Sequence, residues 1–293
     1  MANLDLIYNE AGLKGIVPHA TQEGKKGHRF LVEHLFKSTL YCLHSEATNA
    51  PFLSVTKDKV RALLFTSEEQ ARECETAHYV QNQFECTSKP ITLKTEIEIE
   101  QFCASLRVLG IDSLCIDESA EIPLSTYAPK FEKTGSEQLN AVLHYYLQTQ
   151  AANNADPIIY HVLSNLLSEA TFIFPMERMA EGDPGEIVEL GDYACCAFQQ
   201  GQTTFIPIFT DSYGLRSYGD EIKYDLELAL GIGELKDILD AVSDVVFILN
   251  PQSCGVRLNH TMVEQLSSGF GLQNEESTIP AGEGLRFPWM TEN

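Results

Sequence analysis

The chain has 293 residues, a hydrophobic fraction of 44% and a charged fraction of 21%, a composition that excludes a disordered or fibrous chain. Its formal net charge at pH 7 is −22, and −17 of this falls after Thr134. Because an acidic chain repels phosphate groups, the charge disfavours binding to nucleic acid or to an anionic membrane. A basic protein partner fits this charge. The alternative interpretation is that the acidic residues serve only to keep the protein soluble.

Neither a membrane span nor a secretory signal is predicted. The longest apolar runs, Val245–Leu249 and Phe205–Phe209, have the length of strands, whereas a spanning helix needs roughly 20 apolar residues. The N-terminal segment carries Asp5 and Glu10 where a secretory signal has basic residues. The sequence therefore predicts a cytoplasmic protein.

The first half of the chain predicts alternating helices and strands. Apolar residues at helical spacing indicate the helices, and short continuous apolar runs indicate the strands. Thr66, three residues before Glu69, predicts a reciprocal N-cap at the start of one helix. In chain order, the predicted elements are helix 28–36, strand 39–43, strand 60–65, helix 66–73, helix 99–109 and strand 113–116.

The second half predicts a similar series after Thr134. Strands that begin or end at residues 39, 65 and 116 have counterparts at 171, 209 and 249, which lie 132 to 144 positions later. Asn259 predicts the cap of a last helix. The predicted elements are helix 137–150, helix 157–167, strand 171–174, one strand within 186–198, strand 203–209, helix 235–242, strand 244–249 and helix 260–267.

This recurrence predicts a fold of tandem pseudo-repeats, each a mixed β-sheet flanked by helices, in the α/β class of the α+β type. The predicted organisation is a first unit at 1–134, a second unit at 135–268 and a C-terminal tail at 269–293. Chance recurrence of ordinary helices and strands is the alternative explanation.

Two motifs of the second half carry a family resemblance. The segment 205–211 reads FIPIFTD, and 246–251 reads VFILNP, followed by GVRL at 255–258. This pattern resembles that of the enhanced serine sensitivity (SseB) family over about residues 160–268. The first half looks like a degenerate copy, with Ser67 in place of Asp211 and Asp117-Glu118 in place of Asn250-Pro251. The resemblance implies a bacterial cytoplasmic α/β module without established catalytic residues.

Three polar residues of these motifs form a candidate ligand-binding site at the strand ends: Thr210, Asp211 and Asn250. A carboxylate and two neutral polar groups there can orient a small polar molecule. A structural interpretation competes, because Thr and Asp cap helices, and Asn before Pro forms turns.

No catalytic residue, metal or cofactor is predicted. The chain contains no GxSxG, GxxxxGK[ST], HExxH or GxGxxG motif and no CxxC pair. Cys74, His78 and Cys86 have spacings that suggest a metal site but fall short of the usual four zinc ligands. We therefore expect unliganded thiols and a protein that is not an enzyme.

The function predicted from these observations is a non-catalytic protein-interaction or regulatory protein, for example an immunity or antitoxin-like protein, with an acidic partner-binding surface. The alternative is a small-molecule-binding protein or enzyme with its site at the strand ends. The oligomeric state is left open. The candidate partner-binding residues are Glu181, Asp183, Glu186, Glu189, Asp192, Asp220, Glu221, Asp225 and Glu227.

Overall fold

The computed structural model of the chain describes residues 3–56, 59–82, 84, 86–154, 156–179, 192–218, 222–242 and 244–268. These residues divide into two compact units, the first ending at 154 and the second beginning at Asp156. Within the described ranges, no helix combines the length and the apolar character that crossing a membrane requires.

The first unit is a sheet with helices before, between and after its strands. Two 3-10 turns, Leu35–Lys37 and Leu124–Thr126, join its parts. The elements are α1 (Leu4–Gln22), α2 (Lys25–His34), β1 (Leu40–Ser45), β2 (Ala50–Pro51), β3 (Leu53–Val55), β4 (Val60–Phe65), α3 (Glu68–Asn82), β5 (Cys86–Ile91), α4 (Glu96–Val108), β6 (Ser113–Ile116), β7 (Ala120–Pro123) and α5 (Glu137–Ala151).

The sheet of the first unit is mixed, with order β2-β1-β4-β6-β7. Strands β4 and β6 are parallel, and the connection between them contains α3, β5 and α4. The other pairs, including β3 with β4 and β5 with β1, are antiparallel. Helix α3 packs on one face, where Ala71 and Cys74 join Leu43, Leu63 and Phe65 in a buried cluster.

Helix α5 belongs to the first unit, although the sequence placed residues 135 onwards in the second. The Asn140 amide donates to the Val108 carbonyl at 2.9 Å. Gln148 accepts from the Leu53 N–H at 3.0 Å and donates to the Leu53 carbonyl at 3.1 Å. These bonds join groups that are 32 to 95 residues apart, which composition near Thr134 does not reveal.

The second unit has a four-stranded sheet, order β10-β11-β13-β14, and a three-stranded sheet, order β12-β8-β9. Helix α6 has Asp156 as its N-cap and Pro157 at its first position, as predicted. The elements are α6 (Pro157–Glu169), β8 (Thr171–Arg178), β9 (Tyr193–Cys195), β10 (Phe198–Gln200), β11 (Thr203–Ile208), α7 (Ser212–Ser217), β12 (Leu226–Gly231), α8 (Ile232–Ala241), β13 (Val245–Leu249), β14 (Val256–Leu258) and α9 (His260–Ser267).

Strand pairing in the second unit repeats that of the first. Parallel β11 and β13 match β4 and β6, and antiparallel β12 and β8 match β5 and β1. The β1–β4 pair at Tyr41 and Phe65 recurs as a single antiparallel bridge between Ile173 and Phe209. The prediction of tandem pseudo-repeats with mixed sheets is therefore confirmed.

Candidate functional site

Thr210 and Asn250 lie at the adjacent ends of two parallel strands, where the sequence placed a candidate site. The Thr210 N–H donates to Asn250 Oδ1 at 3.1 Å, and Asn250 Nδ2 donates to Thr210 Oγ1 at 3.1 Å. Parallel pairing of β11 with β13 brings these residues together across 40 positions of sequence. The two residues are only 7% and 8% exposed.

Asp211 joins the same cluster and begins helix α7. Its Oδ1 accepts the Gly214 N–H at 2.8 Å as the helix N-cap, and its Oδ2 accepts the Thr210 hydroxyl at 3.0 Å. Asp211 is 5% exposed. Both carboxylate oxygens therefore serve local structure, as the capping interpretation predicted.

The backbone of Asn250 closes the turn that follows β13. Its φ of 46° lies in the left-handed region, which Asn tolerates better than most residues. Its N–H donates to the Ile208 carbonyl at 2.9 Å, and its own carbonyl accepts from the N–H groups of Ser253 and Gly255 at 3.0 Å each. The structure thus brings together all three predicted residues in a hydrogen-bonded turn.

The first unit contains a matching cluster with different side chains. The Thr66 N–H donates to Asp117 Oδ1 at 2.8 Å, and the Thr66 hydroxyl donates to Asp117 Oδ2 at 2.7 Å. Asp117 has the same φ of 46° as Asn250. Ser67 takes the capping place of Asp211, because its Oγ accepts the Gln70 N–H at 3.3 Å. We call these hydrogen bonds between the ends of two parallel strands, Thr66 with Asp117 and Thr210 with Asn250, the strand-end bracket. Because both units contain it, the bracket belongs to the repeated fold.

Two of the predicted acidic residues flank the end of β8, the middle strand of its sheet. Asp225 Oδ2 accepts the Arg178 N–H at 2.8 Å, and the Asp192 carbonyl accepts the Met179 N–H at 2.9 Å. The side chains of Asp192 and Asp225 are exposed. Asp225 therefore lies on the β12 side of this strand end, and Asp192 lies on its β9 side.

Other predicted acidic residues are placed differently. The Glu227 carboxylate is half-buried and accepts hydrogen bonds from the Ser212 hydroxyl and the Tyr224 hydroxyl. It therefore holds β12 to the start of α7. The remaining candidates lie outside the described residues: Glu181, Asp183, Glu186, Glu189, Asp220 and Glu221.

The cysteines are free thiols and are held in their neutral form. Burial raises the pKa of the Cys42 and Cys103 thiols to about 12, and that of Cys196 to about 11. A thiol with so high a pKa is a weak nucleophile at neutral pH. Among the described residues, no group of three or more His, Cys, Asp or Glu side chains is arranged to hold a metal ion.

An aromatic pair on the four-stranded sheet, made of the exposed Phe198 and the buried Phe205, was not predicted from the sequence. Phe198 is 44% exposed and stacks on Phe205, with ring centroids 5.5 Å apart and an interplanar angle of 21°. The guanidinium carbon of Arg257 lies 5.4 Å from the centroid of the Phe205 ring. Only the strand register places these residues on one face, so the linear sequence gave no usable signal.

Comparisons with known proteins find little similarity. No protein-family model and no curated protein matches the chain. Among solved structures, Tic22 from Plasmodium falciparum is 12% identical, with 84% of this chain and 99% of that chain covered and a TM-score of 0.23. Anabaena Tic22 (protein transport) is 10% identical, with 75% and 91% covered and a TM-score of 0.19. TM-scores this low support neither a fold assignment nor a function.

Proposed function

We propose that this chain is a non-catalytic protein-interaction or regulatory protein of the bacterial cytoplasm, similar to the SseB family, whose second unit binds a basic protein segment. The observation that carries the proposal is that two exposed acidic residues flank the end of β8. There Asp225 bonds the Arg178 N–H, and the Asp192 carbonyl bonds the next N–H, that of Met179. Both aspartate side chains face solvent.

The charge of the second half favours a basic partner. Only six Lys or Arg residues follow Thr134, against 23 Asp or Glu residues. Such an imbalance raises the association rate of a cationic protein and repels polyanions. An immunity or antitoxin-like protein that neutralises a basic toxin is one form of this function.

The bonding at the strand ends weighs against the alternative of a small-molecule site. A pocket needs polar groups that converge on a ligand. Here Thr210 and Asn250 bond each other, and Asp211 bonds Thr210 and the first turn of α7. The first unit has a matching bracket between Thr66 and Asp117, which a role in the fold explains.

The test uses an array of Lys- and Arg-rich peptides beside counterparts with Gln at every basic position. Association rates of the strongest binder are then measured at low and high salt, with the wild type and with the variant Asp192→Asn/Asp225→Asn. Screening of surface charge lowers a steered association rate. We expect the variant to associate more slowly at low salt and to show a flatter salt dependence.

A matched control makes the same charge change elsewhere. Glu10 and Glu100 are exposed residues of the first unit, and Glu10→Gln/Glu100→Gln should leave the association rate close to wild type. Equal rates for all three proteins across salt concentrations would contradict the proposal. A rise in melting temperature with amino acids or nucleotides would instead favour the small-molecule alternative.

A further inference from the structure

One face of the four-stranded sheet carries an apolar patch around a single cation. Strand register places Phe198 beside Phe205, Phe205 beside Val246, and Ile248 beside Arg257. We call these five residues the aromatic face. Val246 and Ile248 are half-buried, while Phe198 and Arg257 are exposed.

The opposite face of the same sheet forms the core of the unit. Phe247 and Leu258 are fully buried there, and the Phe247 ring meets the Phe174 ring edge-on at 5.4 Å. Phe198 lies on the other face of the sheet and takes no part in this core.

The first unit shows that this fold does not require an apolar surface at the aromatic face. At the positions of Phe198 and Phe205, its paired strands carry Ser54 and Arg61, and Arg61 donates to the Ser54 hydroxyl at 3.1 Å. Further along the same face, the first unit has two more polar side chains in place of Val246 and Arg257. They are Ser113 and Glu121, joined by a hydrogen bond of 2.7 Å.

The charge of the aromatic face is unlike that of the rest of the second half. Arg257 contacts the Phe205 ring and makes no ion pair with any carboxylate in the described part of the chain. A guanidinium over an aromatic ring retains hydrogen-bond donors for a carboxylate. A second copy of this chain is a poor occupant, because two molecules of charge −22 repel each other.

We propose that the aromatic face binds a segment of another protein that presents apolar side chains next to a carboxylate. The apolar side chains pack on Phe198, Val246 and Ile248, and the carboxylate pairs with Arg257. Burial of an exposed aromatic side chain supplies affinity, and the charge pair selects acidic over basic segments. This surface is separate from the acidic residues at the end of β8, and the inference does not rest on them.

The test uses two fluorescein-labelled peptides of equal length, Gly-Phe-Glu-Leu-Glu-Phe-Gly and Gly-Phe-Lys-Leu-Lys-Phe-Gly. Fluorescence anisotropy reports their binding to the full chain. We expect saturable binding of the Glu peptide, roughly tenfold weaker for Phe198→Ser, as loss of an aromatic anchor implies. Arg257→Glu should weaken the Glu peptide and strengthen the Lys peptide, because it reverses the charge that faces the segment.

Matched controls change the same residue types outside the aromatic face. Ile97 is an exposed apolar residue of α4, and Arg216 is an exposed cation of α7; Ile97→Ser and Arg216→Glu should bind both peptides like the wild type. The inference is overturned if the wild type does not bind the Glu peptide, or if Phe198→Ser binds it as tightly as the wild type does. It is also overturned if Arg257→Glu keeps the wild-type preference, or if Phe198→Ser converts a wild-type dimer to a monomer. Arg257→Glu alters only an exposed side chain, so it remains a test if Phe198→Ser fails to fold.

Discussion

Asn250 and Thr210 hold the ends of β13 and β11 together through two reciprocal hydrogen bonds of 3.1 Å each. One joins the Thr210 N–H to Asn250 Oδ1, and the other joins Asn250 Nδ2 to Thr210 Oγ1. In the first unit, Asp117 can only accept, so the Thr66 N–H and hydroxyl both donate to it. The threonine hydroxyl therefore accepts a hydrogen bond across the strand ends in the second unit, whereas it donates one in the first.

We expect Asn250→Ala to lower the free energy of unfolding by about 1–3 kcal/mol, because it leaves the buried Thr210 N–H without its acceptor. Asn250→Asp should also be destabilising. A new carboxylate would face the Asp211 carboxylate, which already accepts the Thr210 hydroxyl. Denaturant titration followed by circular dichroism measures both changes.

The reciprocal change supplies the control. Asp117→Asn adds no carboxylate, and Ser67 occupies the place of Asp211 in the first unit, so this change should cost less than Asn250→Asp. If Asn250→Asp proves as stable as the wild type, the Thr210 hydroxyl does not donate its hydrogen bond to Asp211.

The cap of α7 gives a second prediction. Asp211→Ala removes the acceptor of the Gly214 N–H and should destabilise the protein by about 1 kcal/mol. Asp211→Ser keeps a capping oxygen, as Ser67 does in α3, and should retain most of the stability. Thermal unfolding of the two variants measures their losses of stability relative to the wild type. Equal losses for Ala and Ser would show that the Asp211 carboxylate has a role beyond capping.

Much of the fold could be predicted because its strands and helices are locally encoded. Strands 60–65 and 113–116 have the predicted bounds, since continuous apolar runs between polar turns admit few alternatives. The cap of α9 by Asn259 is likewise confirmed, with Oδ1 accepting the Met262 N–H at 3.0 Å. The helical segment α1 was not predicted; the non-helical backbone at Gly12, with φ 61°, divides it into two helices across a kink, and Pro18 lies inside the second.

Long-range hydrogen bonds account for what the sequence could not show. The predicted reciprocal cap between Thr66 and Glu69 is wrong, because Asp117, 51 residues away, takes the Thr66 hydroxyl and Ser67 caps the helix. At the candidate site, the types Thr, Asp and Asn were compatible with both a pocket and a bracket. Only the geometry of Asn250 and Thr210 favours the bracket.

Cysteine labelling provides a third prediction. Cys195 and Cys196 are half-buried, whereas Cys42 and Cys103 are fully buried. Iodoacetamide should therefore modify the vicinal pair before Cys42 and Cys103, as mass spectrometry of native protein can follow. Burial raises the pKa of Cys196 to about 11 from an ordinary 9.0, so its labelling rate should still rise with pH above 9. Labelling of Cys42 or Cys103 ahead of the pair would contradict their burial.

His144 gives the last prediction, which concerns stability against pH. It lies buried on α5, and neither of its ring nitrogens has a hydrogen-bond partner among the described residues. Burial lowers its pKa to about 4 from an ordinary 6.5. Between these values the unfolded chain binds a proton that the folded chain does not, so stability falls as pH drops from 6.5 towards 4.

We therefore expect His144→Leu to reduce the loss of stability between about pH 7 and pH 5 by about 2 kcal/mol. Some pH dependence should persist, because burial also lowers the pKa of His44 to about 4. His161 is exposed on α6, so His161→Leu serves as the matched control substitution. Urea titrations of the three proteins across this range measure the differences. A His144→Leu curve parallel to that of the wild type would mean that His144 titrates alike in the folded and unfolded chains.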